Sequence, residues 1–232
     1  MSWPKPIDHV YILCDPEKEP DRAAYLNQWI ASHPVGPYTM GLACYGNTLT
    51  DLQKEQYNPW LGRQPVPYEQ RNFNSYSLKS GEISLVLNWA AVAQDAVIKQ
   101  YGVVMILESD VLFDDAFLLK LATALSRLEM RGTEWDFLSL SAGAGLRPRR
   151  PPGETHLDWF PPSYPYYHTR TTDAMIFKVS MLDKILDTLF PFSEVLDWEL
   201  NYQLTRHSSQ SLWLDPPILR QGSGKEYPTT LV

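Results

Sequence analysis

The sequence predicts one α/β domain, a mostly parallel, Rossmann-like central sheet flanked by helices, and two observations carry that expectation. The chain opens as strand, helix, strand, over 9–14, 21–32 and 39–44, an order that gives parallel strands with helices on the sheet's faces. Further on, Val103-Val104-Met105-Ile106-Leu107 is an unbroken apolar run. Such a run suits a strand buried on both faces, although periodicity alone leaves a buried helix open.

The elements follow in order. In the helix at 21–32, Ala24, Leu26, Trp29 and Ile30 are available to the core, and Pro34-Val35-Gly36-Pro37 stops it. From 45 to 77 the chain is polar, aromatic and aperiodic, which reads as a binding loop or a mobile one. Ser80 is the expected N-cap of an amphipathic helix over 83–100, with Glu82 in its first turn. After the apolar run, Phe117, Leu118, Leu121, Leu125 and Leu128 fall at helical spacing within 115–130. A strand is expected at 135–140, a second long loop over 141–172, a strand at 174–179, a helix at 181–189 capped by Ser180, and a helix at 194–206. With 232 residues and no repeat or sharp boundary, one domain over 1–232 is the expectation.

Composition narrows the function. A net charge of -7 and a pI near 5.2 argue against nucleic-acid binding. Cys14 and Cys44 give neither a disulfide framework nor a zinc spacing, so a reducing compartment is the default. No signal-like or membrane-spanning stretch stands out, and a cytoplasmic location is expected. The 8 Trp and 13 Tyr suit clefts that stack on sugars or bases, and equally suit a core.

The apolar run ends in Glu108-Ser109-Asp110, and unpaired buried carboxylates are costly. Carboxylates at a strand's end therefore imply solvent, a metal or hydrogen-bond donors, and ligands of open α/β sheets bind at that end. On an extended backbone Glu108 and Asp110 point the same way, as a divalent cation shared with substrate phosphates requires. The same residues also suit an ordinary turn before a helix.

Several stretches in fixed order resemble glycosyltransferase family 25, the lipooligosaccharide and collagen galactosyltransferases. Val10-Tyr11-Ile12-Leu13 with Pro20-Asp21-Arg22 is similar to the family's opening strand and arginine turn. Ser77-Leu78-Lys79-Ser80-Gly81-Glu82-Ile83 resembles its helix-opening segment, and Ile106-Leu107-Glu108-Ser109-Asp110-Val111-Leu112-Phe113 its acidic motif. Glu134-Trp135-Asp136-Phe137-Leu138-Ser139-Leu140 resembles its Trp-Asp strand, Leu196-Asp197-Trp198 its late aspartate motif, and Pro217-Ile218-Leu219-Arg220-Gln221 its closing segment. Two positions depart from the pattern: Ser109 stands among what are usually consecutive carboxylates, and Asn88-Trp89 replaces a Ser-His pair.

The resemblance implies a GT-A type fold and inverting transfer of a hexose, galactose or glucose first, from a UDP-sugar to a glycan, lipid-linked or protein acceptor. Asp110, with Glu108, is the expected holder of Mn²⁺ or Mg²⁺ against the diphosphate. Arg22, Lys79, Glu108, Ser109 and Gln221 are the expected donor-binding residues, with Arg220 beside them. Asp197 is the expected base, with Glu199 second. His168 and His207 are further metal candidates, and Trp159, Tyr164, Tyr166 and Tyr167 candidate acceptor contacts. The competing readings are a silent nucleotide-sugar or glycan binding module of the same fold and a phosphohydrolase. The second lacks an obvious nucleophilic aspartate motif after an early strand.

Overall fold

The structure, a computed structural model, describes residues 2–33, 35–58, 78–140, 146–148, 150–153, 155–163 and 168–222. Most of the first expected loop, parts of the second, and Tyr164, Tyr166 and Tyr167 lie outside them.

The elements run β1 (His9–Leu13), α1 (Pro20–Ser32), β2 (Tyr38–Met40), α2 (Asp51–Tyr57), α3 (Ser80–Ile98), β3 (Val103–Glu108), β4 (Val111–Phe113) and α4 (Phe117–Arg131). Then come β5 (Phe137–Ser139), β6 (Asp158–Phe160), β7 (Ala174–Lys178), α5 (Val179–Leu189), α6 (Leu196–Arg206), β8 (Ser211–Asp215) and β9 (Leu219–Gln221). Seven strands form one sheet in the order β2-β1-β3-β7-β5-β8-β6, and β4 pairs with β9 in a small second sheet. In the large sheet β1, β2, β3, β5 and β8 share a direction, while β7 and β6 oppose it. This is the expected α/β architecture with a mostly parallel sheet.

The apolar run is a strand covered on both sides. Val103, Met105 and Leu107 join the cluster that includes α1 and α4, whereas Val104 and Ile106 join that of α3, α5 and α6. Each buried aliphatic side chain contributes about 1.5–3 kcal/mol, so the strand tolerates a carboxylate only where it leaves the sheet, at Glu108. Leu13 is the register partner of Glu108, so β1 and β3 end together and the segments after them meet.

Element ends shifted where tertiary contacts decide them. Lys79, not Ser80, is the N-cap residue of α3, and Glu82 accepts a hydrogen bond from the Lys79 backbone N–H at 2.7 Å. The helix expected from 115 begins at Phe117, because Val111–Phe113 is drawn off as a strand by β9. That pairing sets Val111 opposite Gln221 and brings the closing segment back to the end of β3.

Candidate functional site

A cavity of about 510 Å³ opens where β1 and β3 end, walled by the segments after both strands, the first turns of α3, and Gln221. Arg22, Glu108, Ser109, Asp110 and Gln221, expected together from the sequence, all line it.

Pro20 opens α1, its missing N–H matching a position that needs no partner, and Arg22 follows in the first turn. The Arg22 guanidinium is buried; Nη1 donates to Glu19 Oε1 at 2.6 Å and to Ser109 Oγ at 2.9 Å. Ser109 Oγ donates in turn to Glu19 Oε1 at 2.8 Å. This closed triangle accounts for Ser109: a hydroxyl both donates to Glu19 and accepts from Arg22, whereas a carboxylate there would repel Glu19. Glu19 is a wall residue that sequence reasoning missed. Its only signal is the i, i+3 spacing to Arg22 across a helix start.

Asp110 does not sit on extended backbone as expected. β3 stops at Glu108, and Ser109 and Asp110 form a turn before β4. The turn still brings both carboxyls to one cavity. Asp110 is 3% exposed, its carbonyl accepts from Gly222 N–H at 2.8 Å, and its Oδ1 is buried without a hydrogen-bond partner. An unmet buried acceptor is destabilising by about 1–3 kcal/mol unless something else fills the place.

Burial pushes the Glu108 carboxyl up to about 8, and the charges of Asp110, Asp173 and Asp197 add to the rise against the Thr172 hydroxyl, which donates to Oε1. The folded state therefore holds a proton that the unfolded chain releases near 4.5. The stability that this group contributes is complete below about 4.5 and is lost as the pH rises through about 8. Thermal melts of the metal-free protein from pH 5 to 8 should show wild type losing Tm relative to Glu108→Gln. Parallel curves would remove Glu108 from this role.

Asn88 and Ser84 fix the opposite wall. Asn88 Oδ1 accepts from the backbone N–H groups of Ala43 and Cys44 at 2.7 and 2.8 Å, and its Nδ2 donates to Cys44 O and Ser84 Oγ. Asn88 thus clamps the strand-to-helix connection onto α3, while Trp89 is fully buried in the core. Just beyond, Gly46 is forced by space, since a Cβ there would lie 2.6 Å from Ser80 O. Asn88→Ala leaves two amides without acceptors and should cost roughly 1–3 kcal/mol, read as a lower denaturant midpoint at unchanged m-value.

The remaining candidates are placed elsewhere. Lys79 is exposed at the α3 start and does not line the cavity, although Gly81 does. Asp197, at the start of α6, is outside the lining, but its charge reaches Glu108; burial raises its own pKa, and its Oδ1 accepts from Trp198 N–H at 2.8 Å. Glu199 is 1% exposed and turned into α6, accepting from Ser193 N–H and Gln203 Nε2. His168 is held by Ser211 Oγ at 2.6 Å and lowered to about 4 by burial, and His207 meets Thr188; neither lines the cavity. Trp159, a candidate acceptor contact, is instead buried, its indole N–H donating to Ala124 O of α4. No group of three or more His, Cys, Asp or Glu able to hold a metal occurs among the described residues. Among them, too, no helix is long and apolar enough to cross a membrane.

Fold and site define an α/β chain with a carboxylate-lined crevice at the ends of its parallel strands. No protein-family model matches the sequence, and no curated protein does. Among solved structures, the chain is similar to "Crystal Structure of A197 from STIV", at 10% identity and a TM-score of 0.43, over 88% of this chain and 80% of that one.

Proposed function

We propose that the chain is an inverting glycosyltransferase that moves a hexose, galactose or glucose first, from a UDP-sugar to a hydroxyl acceptor with the help of Mn²⁺ or Mg²⁺. The observation that carries this reading is the buried, unpartnered Asp110 Oδ1 beside Glu108 in a cavity at the β1 and β3 ends. The wall also bears Asp15 and Glu19 against the cations Lys18 and Arg22. An anionic diphosphate is repelled from such a wall unless positive charge accompanies it. A divalent cation held by one or two carboxylates and the diphosphate itself meets that need, so the residues present fit one.

Asp110 and Glu108 would hold the cation, which when bound supplies charge stabilisation for the departing diphosphate. Arg22, fixed by Glu19 and Ser109, offers a rigid planar donor to a phosphate or uracil edge. Gln221 reaches the same space from the closing segment. Asp197 would be the base that takes the acceptor hydroxyl's proton: its charge reaches Glu108, and burial makes it the stronger base. The donor class and the inverting outcome come from the resemblance to family 25.

A UDP-release assay across UDP-hexoses, with Mn²⁺ and then with a chelator, tests the reading. Release from one donor that the chelator abolishes is the expected result. The second reading is a silent sugar-nucleotide binding module, favoured by Ser109 being tied to Glu19 and Arg22 where the family has a carboxylate. UDP binding with no release from any donor and acceptor pair would favour it.

A further inference from the structure

A second set of unmet polar atoms lies around Asp215, where β8 ends at the same edge of the sheet as β3. Arg170 is 3% exposed and buries its guanidinium there; Nη2 donates to Leu214 O at 2.9 Å and Ser139 O at 3.3 Å. Its Nε and Nη1, which together carry three N–H donors, have no hydrogen-bond partner. Arg150 pairs with the Asp215 carboxylate: Nη1 donates to Asp215 Oδ2, Nη2 donates to His156 O, and its buried Nε has no partner. Arg147 stands 3.7 Å from Asp215 Oδ1. The guanidinium of Arg150 lies over Phe160 at 4.9 Å and that of Arg170 over Trp213 at 5.2 Å. Phe160 and Trp213 are register partners on β6 and β8, so their rings share one face of the sheet, with Asp215 two residues on.

Arg150 and Arg147 thus pair with Asp215, Arg170 lies in the field of both Asp215 and Asp173, and two of the three guanidiniums keep buried donors unused. Desolvated, forked N–H donors over aromatic faces are the arrangement that holds a carboxylate or phosphate. We propose that Arg170 and Arg150, with Arg147 at the rim, form a subsite for the anionic group of a carboxylate- or phosphate-bearing sugar.

The subsite adjoins the reaction centre through the chain. Thr169 Oγ1 donates to Asp197 O at 3.3 Å, and the Thr172 hydroxyl donates to Glu108, so Arg170 lies in the strap between the base and the metal carboxylates. The anion accordingly belongs to the acceptor, an assignment that rests on the transferase reading above; the subsite itself does not.

Calorimetry of the whole chain with methyl glucoside, methyl glucuronide and methyl glucoside 6-phosphate tests the subsite, the last two telling a carboxylate from a phosphate. At least one anionic sugar should bind about tenfold or more tighter than the neutral one, and Arg170→Met should reduce that preference by roughly tenfold to a hundredfold, the worth of charge-assisted hydrogen bonds. Arg150→Met, at a residue nearer the surface, should lose part of it even if Arg170→Met fails to fold. Equal binding of all three sugars, or an anion preference intact in Arg150→Met and in folded Arg170→Met, overturns the proposal. Binding of an anionic sugar through these arginines in a chain that releases no UDP from any donor supports the subsite and removes only its assignment to an acceptor.

Discussion

Asp110→Ala is expected to reduce Mn²⁺-dependent UDP release by about a hundredfold or more, because cation charge stabilisation is worth several kcal/mol and each 1.4 kcal/mol is a factor of ten. The same variant should not lose stability. Asp110 Oδ1 is buried and unmet in the protein without ligand, so its removal relieves a desolvation penalty of about 1–3 kcal/mol. A metal-free Tm equal to or above that of wild type, together with lost turnover, is the signature of a residue kept for function at the expense of folding. A fall in Tm with turnover unchanged would make Asp110 a structural turn residue.

Asp197→Asn is expected to lower kcat by about 10²–10⁴-fold, the contribution of a positioned general base. The amide keeps the shape and the oxygen that accepts from Trp198 N–H, so the start of α6 should be preserved. Asp197 lies outside the cavity lining, and UDP affinity in the presence of Mn²⁺ should stay within about twofold of wild type, under half a kcal/mol. Lost UDP binding would place Asp197 on the donor side instead.

The fold was legible wherever a long-range need coincided with a local signal. Val103–Glu108 declares itself because a strand covered on both faces needs apolar residues at every position, and the first polar one marks where it ends. Helix α4 was readable from its leucine spacing, but its start was not, since β9 lies a hundred residues downstream and claims Val111–Phe113 as a partner. That pairing is also why Gln221, which only the resemblance of the closing segment singled out, reaches the cavity.

In the site, residue types that state their chemistry were readable, and residues that act by holding others were not. Glu108 and Asp110 stand out as charged groups at a strand end, Arg22 as one at a helix start, and the three meet in one place. Glu19 looks like one more charge in an acidic turn; only the fold brings it to Ser109, 90 positions away. Asn88 is similar: its part in clamping Ala43 and Cys44 depends on contacts across 45 and 44 positions that no periodicity encodes. Glu199 shows the converse. It follows Asp197 by two residues, just past the late aspartate motif, yet helical geometry turns it to Ser193 and Gln203.

Calorimetric titration of UDP into wild-type chain and Asp110→Ala, each with and without Mn²⁺, bears most directly on the proposed metal-bridged donor site. The account predicts binding to wild type that requires Mn²⁺ and disappears in Asp110→Ala. UDP binding of equal strength without Mn²⁺, or undiminished in Asp110→Ala, would contradict it.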